Sequence, residues 1–203
     1  MISVGIFIIL YFIGQFGDLA IAGYGTAIRY EQLYLLPVLG LNTAVLAMVG
    51  QNYGARNIIR VNKIYNNALL YGCGFMFVSG FIIFFTAEFA VSLFTDNKEV
   101  IIYGTTYLKI TALMEPIYPI FFISNALIQG LKKANIVMYL TLFRMVILPI
   151  SLLWFLIFYL NSSYAFVFWG LLIINLFFGI FVFIFTKLLI KKELINNFNK
   201  RRI

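Results

Sequence analysis

Glu115 and Arg144 are the side chains of this chain best placed to do chemistry, because both fall in the middle of long apolar runs. A charge at mid-depth in a membrane helix costs about 2.5–3.5 kcal/mol on insertion scales, so it faces protein or water and takes a partner. Glu115 lies about ten residues, roughly 15 Å, inside one end of its run. Arg144 lies about nine residues, roughly 14 Å, inside the opposite end of the next. On antiparallel neighbours these depths nearly coincide, and the two are expected to meet directly or through water, either as a structural ion pair or as part of a transport path. Bond-making chemistry has little support. There is no histidine, and the single cysteine, Cys73, sits in an apolar run. The usual general base, metal ligands and nucleophile sets are therefore missing, and neither an enzyme nor a metal centre is expected.

Helical periodicity extends both positions into stripes. Glu115, Tyr118, Phe122, Asn125 and Gln129 share one face at i, i+3, i+7, i+10 and i+14. Thr141, Arg144, Leu148 and Ser151 form a second stripe, and Glu31 with Asn42 lie three turns apart on a third. A polar stripe on an apolar helix lines a wet cavity or supplies hydrogen-bonding glue between helices. Glu31, Asn42, Glu115, Tyr118, Phe122, Asn125, Gln129 and Arg144 are thus the candidate cavity or substrate-facing residues. Tyr30, Tyr34 and Phe121 stand beside them, and such ring faces suit a lipophilic cation. Pro37, Pro116, Pro119 and Pro149 fall inside apolar runs. Each removes a backbone donor and can bend its helix, and Pro116 puts such a break right beside Glu115.

Membrane spans carry these residues. Of the 203 residues, 63% are hydrophobic and 11% charged, with 23 phenylalanines and a mean hydropathy of +0.99. A soluble domain is nearer half apolar and a quarter charged; disorder, collagen and disulfide scaffolds are excluded as well. A hydrocarbon core about 30 Å thick takes roughly 20 apolar residues as helix. Six runs qualify: Met1 to Phe16, then about Gly25 to Val49, Ile64 to Phe85, Gly104 to Ile128, Asn135 to Leu160 and Tyr164 to Phe185. The first is short for a full crossing. Ala20-Ile21-Ala22 looks like a signal-peptide cleavage site, but the basic n-region that such peptides need is missing. The expected fold is all-α, a polytopic six-helix transmembrane bundle over residues 1–186, followed by a basic tail at 187–203.

Charge sets the orientation. Arg56, Arg60, Lys63, Lys132, Lys133 and six residues of the tail (Lys187, Lys191, Lys192, Lys200, Arg201 and Arg202) fall on one side, eleven in all. The positive-inside rule puts that side and both termini in the cytoplasm, as a multi-pass protein of the cell (inner) membrane. The net charge of +8 is then topology, and no nucleic-acid partner is implied. The tail touches anionic lipid or is simply solvated. Arg29 and Lys109, each about a turn inside an outer end, can snorkel, and Glu88 is interfacial.

Particular strings are recognisable. Residues 17–62 contain AGYGTAIRYEQ, LPVLGLN and GQNYGA in order, and this block resembles bacterial members of the multidrug and toxic compound extrusion (MATE) family at the junction of their seventh and eighth helices. The block NALIQGLKKANIVMYLTLFRMVILP, Asn125 to Pro149, is similar to the family's tenth-to-eleventh helix region, and Trp169-Gly170 also fits. The resemblance implies a secondary antiporter with twelve helices in two six-helix lobes, exporting drugs or organic cations in exchange for H⁺ or Na⁺ by alternating access, with no cofactor beyond the coupling ion. This chain would be the C-terminal lobe, inactive alone, working with the missing N-terminal lobe or with another copy. Some branches carry an acid in the seventh helix, and Met1 to Gly17 has none. Their tenth-helix acid lines up near Tyr118, which makes Glu115, one turn away, the cation-coupling candidate. A lipid or glycan-precursor flippase of related architecture is the alternative.

Overall fold

The computed structural model describes residues 2–200, with side chains from 3 to 195. Every regular element among them is helical. In order they are α1 (Ile2–Ile13), α2 (Asp18–Gly54), α3 (Ile58–Ser92), α4 (Lys98–Ala112), α5 (Tyr118–Gly130), α6 (Ala134–Leu142), α7 (Leu148–Trp154) and α8 (Tyr164–Lys200). Short 3₁₀ turns follow α1 (Gly14–Phe16) and precede α5 (Glu115–Ile117), and π turns flank α7 at Phe143–Ile147 and Phe155–Tyr159.

The six apolar runs all appear, in three forms. α2, α3, the continuous helix Ala134–Tyr159 and α8 are each long and apolar enough to cross a membrane. A fifth crossing is broken: α4 and the Glu115–Gly130 segment pass the same test as a pair bent by 45°. α1 is the short one. The break sits where the sequence places it, since Pro116 has no N–H to bond the Ala112 carbonyl one turn back. Pro149 begins α7 just after a π turn, whereas Pro37 lies inside an unbroken α2. α2 is longer than the expected run, from Asp18 to Gly54, because Gly17 turns the chain just ahead of it at φ 98°, a conformation open only to glycine. α8 continues as helix past Lys187, Lys191 and Lys192, while Arg201 and Arg202 lie outside the described residues.

Local chemistry sets the other boundaries. The Asn57 side chain accepts from the Arg60 N–H at 3.1 Å to cap α3, and Asn97 accepts from Glu99 at 3.0 Å to cap α4. At the far ends of α2 and α5, Arg56 and Lys132 take the left-handed conformation, and the next N–H closes on a carbonyl five residues back, Asn57 to Asn52 and Lys133 to Ile128.

The bundle is apolar outside as well as inside. Phe7, Phe77, Phe85 and Phe89 are all exposed, which in lipid costs nothing. Without a hydrophobic difference between interior and lipid, helices associate through close packing, and small residues permit it. Gly23 on α2 and Gly104 on α4 meet backbone to backbone. A Cβ on Gly23 would stand 2.7 Å from Tyr103 Cβ, 2.8 Å from the Val100 carbonyl oxygen and 2.9 Å from the Gly104 nitrogen. Gly80 on α3 leaves room in the same way for the freed Ala112 carbonyl at the break. Gly23→Ala is therefore expected to lower stability by about 1–3 kcal/mol, because neither backbone nor Cβ can swing aside. Thermal unfolding in detergent measures it; an unchanged midpoint would mean that α2 and α4 are not apposed here.

Candidate functional site

A cavity of about 320 Å³ opens among α1, α2, α4, α5, the first π turn, α7 and α8. Most of its wall is aliphatic or aromatic, including Ile6, Ile28, Leu35, Phe122 and Phe168, and its polar groups come from five separate segments. Glu31 is 3% exposed, and its carboxylate is held by two phenols. The Tyr107 hydroxyl donates to Glu31 Oε2, and the Tyr118 hydroxyl donates to Glu31 Oε1 at 3.0 Å. Tyr107 is itself wedged between rings, 4.9 Å from both Tyr24 and Phe168 by ring centroids, so that its hydroxyl has one direction to point.

Arg144 lines the same cavity. Its Nε donates to Asn175 Oδ1 at 3.1 Å, and the Asn175 amide nitrogen donates back to the Leu171 carbonyl at 2.8 Å. The guanidinium carbon lies 3.5 Å from the centroid of the Phe121 ring and 5.8 Å from that of Tyr118. Tyr118 thus touches both charges, the acid through its hydroxyl and the arginine through its face. Among the described residues no group of three His, Cys, Asp or Glu side chains is placed to hold a metal ion.

The expected Glu115–Arg144 approach is corrected by this arrangement. The two make no ion pair among the described residues; that contact belongs to Lys133 and Glu193 at 2.6 Å, near the ends of α5 and α8. Glu115 points toward α3, where a Cβ on Gly80 would lie 3.2 Å from its own Cβ, and Arg144 points toward α8. Glu115 is fully buried, and neither of its carboxylate oxygens has a hydrogen-bond partner. Its carboxylate is within electrostatic reach of Glu31 and of Tyr34.

Of the other sequence candidates, Glu31, Tyr118 and Phe122 share the cavity wall with Arg144. Asn42 and Asn125 are half-buried and Gln129 is exposed, all three beyond the lining. Tyr30 turns to α3, its hydroxyl 3.0 Å from both Tyr34 and Thr86. Arg29 and Lys109 are exposed. Three further residues of the lining, Tyr107, Thr111 and Asn175, carry signals in the sequence. Tyr107 and Thr111 continue the Glu115 stripe backward by two turns. Asn175 is the lone amide in the run Tyr164 to Phe185.

The helices thus form a polytopic all-α membrane bundle around a small amphipathic cavity. Its backbone superposes on a MOP superfamily transporter from Pyrococcus furiosus with a TM-score of 0.89, at 21% identity, over 95% of this chain and 43% of that one. The MatE family model matches residues 1–155, and the chain belongs to the MATE family. Among relatives, probable multidrug resistance protein YpnP of Bacillus subtilis is 26% identical over 130 residues, 64% of this chain and 29% of that protein. Probable multidrug resistance protein NorM of Pseudomonas syringae pv. tomato is 25% identical over 176 residues, 84% of this chain and 38% of that protein. The chain therefore spans less than half the length of these relatives.

Proposed function

We propose that the chain is one six-helix lobe of a secondary antiporter that exports lipophilic organic cations in exchange for H⁺ or Na⁺. The observation that carries this reading is a single carboxylate, Glu31, set by two tyrosines into the wall of an otherwise apolar and aromatic cavity. Such a site attracts a monovalent cation with greasy substituents, through charge at one point and ring faces elsewhere. The names of the relatives as multidrug resistance proteins agree with it. Glu115, buried at the break of a span without a partner, is the group we assign to the coupling ion. The lobe works against a second one, from the same polypeptide or another copy; the sequence motifs liken this one to the C-terminal lobe, with the basic end and both termini in the cytoplasm of a cell whose inner membrane it spans. By itself the lobe binds but does not transport, since alternating access moves one lobe against another.

Arg144 favours a second reading. A cation on the cavity wall suits a phosphate-bearing lipid or glycan precursor, and so a flippase. Equilibrium dialysis of the purified chain against tetraphenylphosphonium and against a soluble polyprenyl phosphate analogue separates them. Saturable uptake of the phosphonium with no competition from the phosphate is expected. Preferential binding of the phosphate, lost in Arg144→Gln, would replace the export of cations by lipid handling.

A further inference from the structure

We infer that the groove between α3 and α8 at the basic end of the bundle holds the phosphate of an anionic phospholipid. Lys187 on α8 is half-buried there, its Nζ bonded to Asn66 Oδ1 of α3 and lying 5.4 Å from the Tyr65 ring and 5.6 Å from the Phe183 ring. That places a fixed ammonium at the edge of the apolar surface with its aliphatic stem in grease. The two helices run antiparallel, so one turn toward the basic end brings Lys63 on α3 (three residues from Asn66) and Lys191 on α8 (four from Lys187) along the same groove. Both are exposed. Register thus sets three lysines along one groove with no carboxylate among them. Of the seven acids in the chain, Glu193 alone lies at this end, and it is turned the other way, toward Lys133 and Tyr53. Like charges gathered in this fashion repel one another unless an anion sits between them, and at the rim of a hydrocarbon surface the abundant anion is a lipid phosphate. Acyl chains then lie along the exposed Leu70 and Phe77 of α3.

The purified full chain, given equal amounts of phosphatidylglycerol and phosphatidylcholine and examined by native mass spectrometry, tests this. Phosphatidylglycerol is expected to be retained by about tenfold or more over phosphatidylcholine. The combined variant Lys63→Gln, Lys187→Gln, Lys191→Gln should lose that preference, and Lys98→Gln, at the other end of the bundle, should keep it. Equal retention of both lipids, or a preference that survives the triple variant, overturns the site. If the triple variant fails to fold, the wild-type preference decides: it must weaken steeply with salt, and insensitivity to salt is contrary to the proposal. Displacement by millimolar glycerol phosphate would assign the groove to free phosphate and overturn the lipid.

Discussion

Glu31→Gln is expected to weaken binding of tetraphenylphosphonium by about tenfold to hundredfold, roughly 1.4–2.8 kcal/mol. Two unit charges 4 Å apart attract by about 4 kcal/mol at an effective dielectric of 20, and part of that is returned as the cost of desolvating the ligand. Glutamine keeps the shape of the side chain and one acceptor oxygen. Its amide nitrogen then faces a phenol that used to donate, Tyr107 or Tyr118, and that hydroxyl must rotate to accept. Tyr107 has little freedom to do so between Tyr24 and Phe168, so a modest loss of stability accompanies the loss of affinity. Equilibrium dialysis gives the affinity and thermal unfolding gives the stability. Affinity unchanged with stability reduced would make Glu31 a hydrogen-bonding anchor between α2, α4 and α5 and take the cation away from it. Tyr107→Phe checks the same point from the other side, since it leaves the charge in place and should cost far less affinity than Glu31→Gln.

Glu115→Leu is expected to raise stability, against the usual sign of a core substitution. Both carboxylate oxygens are buried without hydrogen bonds, and a buried polar group left unpaired costs about 1–3 kcal/mol, more when charged. Leucine removes that penalty at similar volume, so a gain of about 1–3 kcal/mol in unfolding free energy follows. Glu115→Gln keeps the shape but leaves an amide equally unpaired, and should gain much less. The crossing of α3 at Gly80 limits the space for anything branched at Cβ, so valine and isoleucine are poor substitutes. Under the proposed coupling role the leucine variant, assayed within the two-lobe transporter, is more stable yet loses ion-driven efflux. This is the exchange of stability for function expected where a strained group is kept for its chemistry. Destabilisation by leucine would mean that the carboxylate holds an ion or water that compensates its burial. Greater stability with efflux intact would remove Glu115 from the mechanism.

Several features were legible in the residues before any coordinates. Composition and run length determined an all-α membrane bundle, because backbone groups in lipid must be satisfied within helices. The proline beside Glu115 marked the broken span, and the short first run marked α1. Periodicity gathered Tyr118 and Phe122 onto one face, charge in mid-run singled out Arg144, and a stripe with Asn42 picked Glu31; these four reach the cavity wall and Asn42 does not. Which side chains face each other depends on how the helices pack. Helical period fixes rotation within one helix and run length fixes depth, but the azimuth of each helix around the bundle appears in neither. Two charges paired on run length alone can therefore point apart, Glu115 to α3 and Arg144 to Asn175 on α8. The π turn at Phe143–Ile147 adds to this, since one extra residue in a turn shifts every later side chain by about 100° and carries Arg144 off the simple stripe with Leu148 and Ser151. Tyr107 reaches Glu31 across 76 positions of chain, and no local pattern encodes that meeting. It exists because Gly23 and Gly104 let α2 and α4 close until a phenol on one touches a carboxylate on the other.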